Sequence, residues 1–210
     1  MATESRGADP EGPSGGAAAE AASAPVIGNP TPLGMGAFAM TTFVLSVFNA
    51  GLMNIELQTV VIPLALFYGG LAQVLAGMWS FRVGSSFGGL AFTSFGSFWL
   101  SYAIYAHFFV EDLGPGGDAA TSLFLFSWAV FSAYMTVAAV RVTPVVLGVF
   151  VLLTLTLVLL GAASASGSGA LTMLGGWTGL LTAAVAWYGS AGQVINLMWE
   201  RTVLPGNEPR

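Results

Sequence analysis

The sequence predicts an all-α integral membrane protein: six transmembrane helices with the N- and C-termini both in the cytoplasm. Three observations predict it. Of 210 residues, 55% are hydrophobic and only 7% charged, whereas soluble domains carry roughly 25% charged residues. So few charges cannot clothe a water-facing surface, and a bilayer is the solvent that fits. Six windows each reach the about 20 mostly apolar residues needed to cross the hydrocarbon. Drawing six spans also puts every basic residue on one side, where cytoplasmic loops collect them. In lipid such spans are helices, because only a helix satisfies its own backbone within one segment.

The elements follow in order. Residues 1–28, which include "MATESRGADPEGPSGGAAAEAASAPVI", read as a disordered cytoplasmic tail with too little bulky apolar surface to offset the entropy of ordering. The tail lacks the apolar core of a secretory signal, and it is acidic where a transit peptide would be Arg-rich. A six-helix domain over residues 29–205 comes next. Its first helix is expected from about Pro32 to Leu52, opening in "GNPTPLGMGAFAM" (Gly28–Met40). Pro32 suits a first helical turn, where its missing N–H loses nothing. Thr31 or Asn29 can cap the free N–H groups there. A helix start also presents donors and partial positive charge, a mild attractor for small anions obtained without an arginine.

The second helix is expected from about Thr59 to Phe81, ending at Arg82, with Gly69, Gln73 and Gly77 on one face. The third runs from Phe87 to Val110, ending at Glu111 and Asp112, and Gly89, Thr93, Ser97 and Ser101 recur along it every four residues. The fourth spans about Ala119–Val140 before Arg141, and the fifth about Val142–Ser164. The sixth spans about Leu171–Met198 before Glu200 and Arg201; Gly175, Gly179 and Ala183 share one of its faces, Gln193 and Asn196 another. Residues 206–210 form a C-terminal tail.

With six spans, Arg6, Arg82, Arg141, Arg201 and Arg210 lie on one side, while Glu56, Glu111, Asp112 and Asp118 lie on the other. Five or seven spans would scatter this partition. No span carries a central charge, which would cost about 2.5–3.5 kcal/mol, so a voltage sensor or buried cation site is not expected. There is no cysteine and one histidine, His107, and neither a metal site nor a cofactor is expected. The chain holds no HExxH or P-loop motif, which argues against an enzyme. Its net charge of −5 argues against nucleic acid as a partner. Transport or passive membrane structure is left.

Small residues on membrane helices ordinarily mean close packing, with hydroxyls bonded to the carbonyl one turn earlier. The amides of Asn49, Gln73, Gln193 and Asn196 are different. Each brings donors and an acceptor that hydrocarbon cannot satisfy, and together they point to a polar interior and a wet path. Among the aromatics Phe38, Phe92, Phe95, Phe98, Trp99, Trp128, Phe131, Trp177 and Trp187, most read as packing or lipid-facing. Phe95, between Ser94 and Ser97 beside the hydroxyl stripe, is placed to act as a dewetting gate.

At "NPTPLG" (Asn29–Gly34) the chain resembles the acetate uptake transporter family, which includes the succinate–acetate permeases and carries the motif NPAPLGL. The likeness continues in "FYGGLAQVLAGMW" (Phe67–Trp79), "AFTSFGSFWL" (Ala91–Leu100), "GGWTGLLTA" (Gly175–Ala183) and "RTVLP" (Arg201–Pro205), and covers roughly Asn29 to Pro205. The resemblance implies a six-helix protomer in a homohexamer in the plasma or inner membrane, each protomer with its own path for acetate and related short carboxylates such as succinate. Proton-linked uptake is implied too, although a channel-like description has also been argued. The motif implies a mouth at Asn29, Pro30, Pro32, Leu33 and Gly34, and the family's hydrophobic constriction of Phe, Tyr and Leu matches Phe38, Phe95 and Leu153.

The departures matter. Phe95 lacks the family tyrosine's hydroxyl, so the constriction is expected to be drier. Ser80 and Gln193 stand where relatives often carry a glutamate, and neither can relay a proton as Glu could. The leading expectation is therefore a carboxylate transporter. In it, Asn29 and the first helix start draw the anion in, Gln73, Thr93, Ser94, Ser97, Gln193 and Asn196 replace its water, and Phe38, Phe95 and Leu153 form the narrow point. Stripping water from a carboxylate is costly, so the neutral acid crosses more readily, and uptake is expected to rise as external pH falls toward the pKa of acetic acid. The alternatives are an ammonia or ammonium exporter and a non-transporting membrane sensor or scaffold.

Overall fold

The structure is a computed structural model that describes residues 27–208. Except for its last two residues, the tail expected over residues 1–28 lies outside them, as do Arg6 and Arg210. The described residues build six rods and no strand. Helix α1 is Thr31–Asn49. Helix α2 is one continuous rod, Ile55–Arg82, in which a 3-10 start (Ile55–Val60) and a π turn (Phe67–Ala72) interrupt α geometry. Helix α3 is Ser86–Ile104, prolonged by a π turn over Tyr105–Phe109. Helices α4 (Gly117–Ala139), α5 (Pro144–Ser166) and α6 (Gly169–Met198) complete the bundle.

The rods begin where side chains can take up the free N–H groups that every helix start leaves. Asn29 Oδ1 accepts the Thr31 N–H at 3.0 Å. Ser85 Oγ accepts the Gly88 N–H at 3.2 Å, Thr143 Oγ1 the Val146 N–H at 3.2 Å, and Ser168 Oγ the Leu171 N–H at 3.4 Å. These hydroxyls start α3, α5 and α6 within a few residues of the expected windows. Helix α5 stops at Gly167, whose φ of 65° ends it in the left-handed conformation that glycine tolerates best. The first helix is shorter than expected, because the chain leaves it at Ala50 and turns at Gly51, φ 72°.

Five rods are long and apolar enough to cross a membrane: α1, α2, α4 with its lead-in, α5 and α6. The remaining rod, α3, is diluted by Gly88, Gly89, Thr93, Ser94, Gly96 and Ser97, so protein rather than lipid must cover much of it. Glycine lets it come close to α2. A Cβ on Gly77 would collide with Thr93, and one on Gly96 would lie 2.7 Å from the Val74 backbone nitrogen. Helices α1 and α6 meet the same way, with Gly176 against the backbone of Asn49 and Ala50 and Gly179 against Ser46. Between α4 and α5 the glue is hydroxyl: Thr154 Oγ1 and Ser132 Oγ share a hydrogen bond at 2.9 Å, and Ser122 Oγ donates to the Gly161 carbonyl at 2.9 Å. Thr156 Oγ1 and Thr178 Oγ1 share a hydrogen bond at 3.0 Å, tying α5 to α6.

The topology is up-and-down, so α1, α3 and α5 run one way and α2, α4 and α6 the other. One end of the bundle gathers the start of α1, the α2–α3 and α4–α5 turns, and the C-terminal segment, where the Val145 N–H donates to the Gly206 carbonyl at 3.2 Å. Arg82, Arg141 and Arg201 belong to this basic end. Asp112 and Asp118 belong to the opposite, acidic end, with the α5–α6 turn.

Candidate functional site

Two cavities run into the bundle, and three side chains stand between them. A narrow cavity of about 130 Å³ opens at the basic end, where Thr31, Ser85 and Val142 form part of its wall. A wide cavity of about 420 Å³ opens at the acidic end, beside Tyr105, Asp118 and Ser164. Phe38, Phe95 and Leu153 are the residues common to both linings. Each comes from one of the parallel rods α1, α3 and α5, and their relative exposures are 5%, 3% and 6%. The Phe38 and Phe95 rings meet edge-on at 5.9 Å. Phe131 at 5.3 Å, Trp128 at 5.9 Å and Phe150 at 6.0 Å back Phe95. Such a plug of rings offers no polar group to hold water.

The narrow cavity is apolar apart from a few groups. Among them is Gln73 on α2, 1% exposed, whose Oε1 has no hydrogen-bond partner. Its place follows from the small face of α2, since Gly69 and Gly77 flank it one turn away on each side and let α1 and α3 approach. The wide cavity carries more polar groups, Thr42, Ser46, Asn49 and Thr156 among them. Among the described residues no three His, Cys, Asp or Glu side chains cluster. The available chemistry is therefore hydrogen bonding by hydroxyls and amides around an aromatic plug.

The other residues singled out from the sequence lie elsewhere. Asn29 is exposed, and its Nδ2 donates to Gln193 Oε1 at 2.8 Å; Gln193 Nε2 in turn lies 3.7 Å from Met35 Sδ. Beside this pair, Ser190 Oγ donates to the Pro32 carbonyl at 2.7 Å. Pro30 and Gly34 are buried, Gly34 under the Phe92 ring, while Leu33 is 43% exposed. Asn196 accepts the N–H groups of Val203 and Leu204 at 2.8 and 2.9 Å and donates to the Leu204 carbonyl at 2.8 Å. The amides of Gln193 and Asn196 are thus bonded to the start of α1 and to the C-terminal segment, and neither lines either of these two cavities. Thr93 is wedged against Gly77, Ser94 is half-buried, and Ser97 is exposed and donates to the Thr93 carbonyl at 2.8 Å. None of Asn29, Pro30, Pro32, Leu33, Gly34, Thr93, Ser94 and Ser97 is part of either lining.

Sequence reasoning passed over Thr42, which lines the wide cavity, and read Trp99, which also lines it, only as packing. The signal was present in helical spacing. Thr42 follows Phe38, and Trp99 follows Phe95, by four residues, and residues so spaced share a helix face.

Comparison with known proteins gives a consistent picture. The profile of the GPR1/FUN34/yaaH family matches residues 14–199. Accumulation of dyads protein 2 of Saccharomyces cerevisiae is 41% identical over 166 residues, 76% of this chain and 59% of that protein. Ammonia transport outward protein 2 of the same yeast is 38% identical over 191 residues, 86% of this chain and 68% of that protein. The succinate-acetate/proton symporter SatP of Escherichia coli K12 is 37% identical over 186 residues, 87% of this chain and 96% of that protein. The chain therefore spans little more than half of the first yeast protein but nearly all of the bacterial one. A solved structure of the bacterial acetate channel SatP superposes with a TM-score of 0.79 at 35% identity, covering 86% of this chain and 99% of that one.

Proposed function

This chain is a member of the GPR1/FUN34/yaaH family, and from that premise we propose that it conducts acetate and related short-chain carboxylates across a membrane, one path through each six-helix unit. It is a multi-pass membrane protein, and its bacterial relatives are a symporter and a channel rather than enzymes. The observation that carries the reading is the shared lining: Phe38, Phe95 and Leu153, on three parallel rods, form the boundary between two cavities opening at opposite ends.

In this reading a short acid enters the wide cavity, where hydroxyls and amides stand in for part of its water. At the ring nothing polar replaces the rest. A carboxylate would cross bare and a carboxylic acid would not, so the species that passes is the neutral acid. Beyond the ring stands Gln73, whose amide offers both a donor and an acceptor. Those complement the carbonyl and hydroxyl of an undissociated acid. Proton linkage then needs no relay in the protein, because the proton travels on the substrate; Ser80 and Gln193, in place of acidic residues, are consistent with this. Asn29 and Gln193 act by fixing the start of α1 at the inner mouth. Residues 29–205 make up the transporting unit, flanked by tails at 1–28 and 206–210. In this reading the basic end faces the cytoplasm, the units assemble as a homohexamer, and the host is the plasma or inner membrane. Succinate, with two carboxyl groups to neutralise, passes less readily than acetate.

Liposomes containing the purified chain and offered labelled acetate test this. Uptake is expected to increase as external pH is lowered toward the pKa of acetic acid, with propionate competing better than succinate. A flat pH profile would remove the neutral-acid mechanism, and no uptake at all would remove the acetate path. Ammonium-dependent alkalinisation with acetate excluded would identify an ammonia conduit instead, and no flux of either kind a sensor or scaffold.

A further inference from the structure

One turn beyond the ring, on its wide side, two hydrogen-bonding atoms have nothing to bond. Thr42 follows Phe38 on α1 by four residues, and Trp99 follows Phe95 on α3 by four. Four residues are about one helical turn, a rise of about 6 Å. Helices α1 and α3 run the same way and Phe38 touches Phe95, so Thr42 and Trp99 stand at a common level just outside the plug. Both line the wide cavity, with relative exposures of 6% and 2%. Thr42 Oγ1 and Trp99 Nε1 are both enclosed and without a partner.

Among the threonines of the described residues, only Thr42 and Thr93, the latter wedged against Gly77, have an enclosed hydroxyl without a partner. Thr41, Thr121, Thr136, Thr154, Thr156 and Thr182 all donate to the carbonyl four residues earlier, the ordinary resting place of a hydroxyl on a helix. Thr42 does not. The indole of Trp99 can only donate, and the Phe98 and Tyr102 rings flank it. An enclosed polar atom left unpaired destabilises the fold that holds it. Here two occur at one level of one cavity, beside the point where a guest must shed its water.

We propose that Thr42 Oγ1 and Trp99 Nε1 form a subsite for the carboxyl group of a short acid, filled from the wide cavity immediately before the ring is crossed. The proposal rests on the acetate-path reading and adds where the acid pauses. Trp99 takes a carbonyl or carboxylate oxygen. Thr42, which both donates and accepts, holds either a carboxylate oxygen or the hydroxyl of the neutral acid. The pair therefore retains the guest on both sides of its protonation. Both atoms are covered, so a guest displaces the neighbouring side chains as it seats, the ring residues one turn inward among them.

Two measurements test the subsite. In liposome uptake, Thr42→Val and Trp99→Phe should each raise the acetate KM about fivefold, the size of one neutral hydrogen bond, with the maximal rate little changed. Thr42→Ser should stay near wild type, as should Thr136→Val at the α4–α5 contact. In protein carrying ¹⁵N-tryptophan, the Trp99 indole N–H resonance, assigned by its loss in Trp99→Phe, should shift saturably as acetate is added, and in Thr42→Val should do so with a midpoint about fivefold higher. An unchanged KM in both variants, or a Trp99 resonance that acetate does not move in the wild type, overturns the subsite. Failure of acetate to enter with the wild type overturns the path reading instead, and the indole resonance reports on the subsite whatever the flux.

Discussion

A buried glutamine with an unpaired oxygen is a poor packing residue. Gln73 is 1% exposed and its Oε1 is orphaned, so an apolar side chain of the same length would suit the fold as well or better. Gln73→Leu should therefore leave the thermal midpoint in detergent unchanged or higher, within about 1 kcal/mol, while acetate uptake falls. A fall in both would make Gln73 structural. Phe38 and Leu153 came only with the family resemblance, whereas Gln73 and Phe95 stood out in the sequence because an amide or a bulky ring beside small residues is conspicuous in an apolar rod. Gln193 and Asn196 were misleading for the same reason. Hydrocarbon cannot satisfy their amides, but the groups that do, Asn29 at a separation of 164 residues and the backbone of Val203 and Leu204, come to them only through the fold. Thr42 stayed hidden because a threonine on a membrane helix normally serves its own backbone.

At the level of the helices, close approach is set by glycine and is therefore fragile at particular places. The Cβ of an alanine at Gly176 would run into the backbone of Asn49 and Ala50, which cannot swing aside as a side chain can. Gly176→Ala should cost about 1–3 kcal/mol, read as a lower melting temperature in detergent. Gly148→Ala is the contrast. Its Cβ would meet only Val185, at 3.5 Å, an ordinary contact, and alanine favours helix over glycine, so that variant should melt at or above wild type. The six rods were legible in the sequence to within a few residues, α3 least of all because its glycines and hydroxyls dilute the apolar signal, but what fixes their ends was not. Ser85, Thr143 and Ser168 start helices by accepting N–H groups, a local geometry to which an apolar count is blind. The π turns at Phe67–Ala72 and Tyr105–Phe109 were equally invisible, since they change the winding of a helix and leave its composition as it was.

For the molecule as a whole, the described arginines mark one end. Arg82, Arg141 and Arg201 belong to one end of the bundle, and the chain contains no cysteine, so single cysteines can report sidedness without background. Val83→Cys and Val140→Cys should react with an impermeant maleimide from the same face of the membrane, and Leu113→Cys from the other; a split between the first two would dissolve the six-span topology. The chambers on either side of the plug are unequal, about 420 Å³ against about 130 Å³. A branched or aromatic acid too stout to pass can still lodge in the roomier antechamber and stopper it. Presented at the opposite mouth, the same molecule finds no berth. Blockade of acetate uptake into liposomes by stout acids should therefore be vectorial, strong when they are added on the side of the larger chamber and weak from the other.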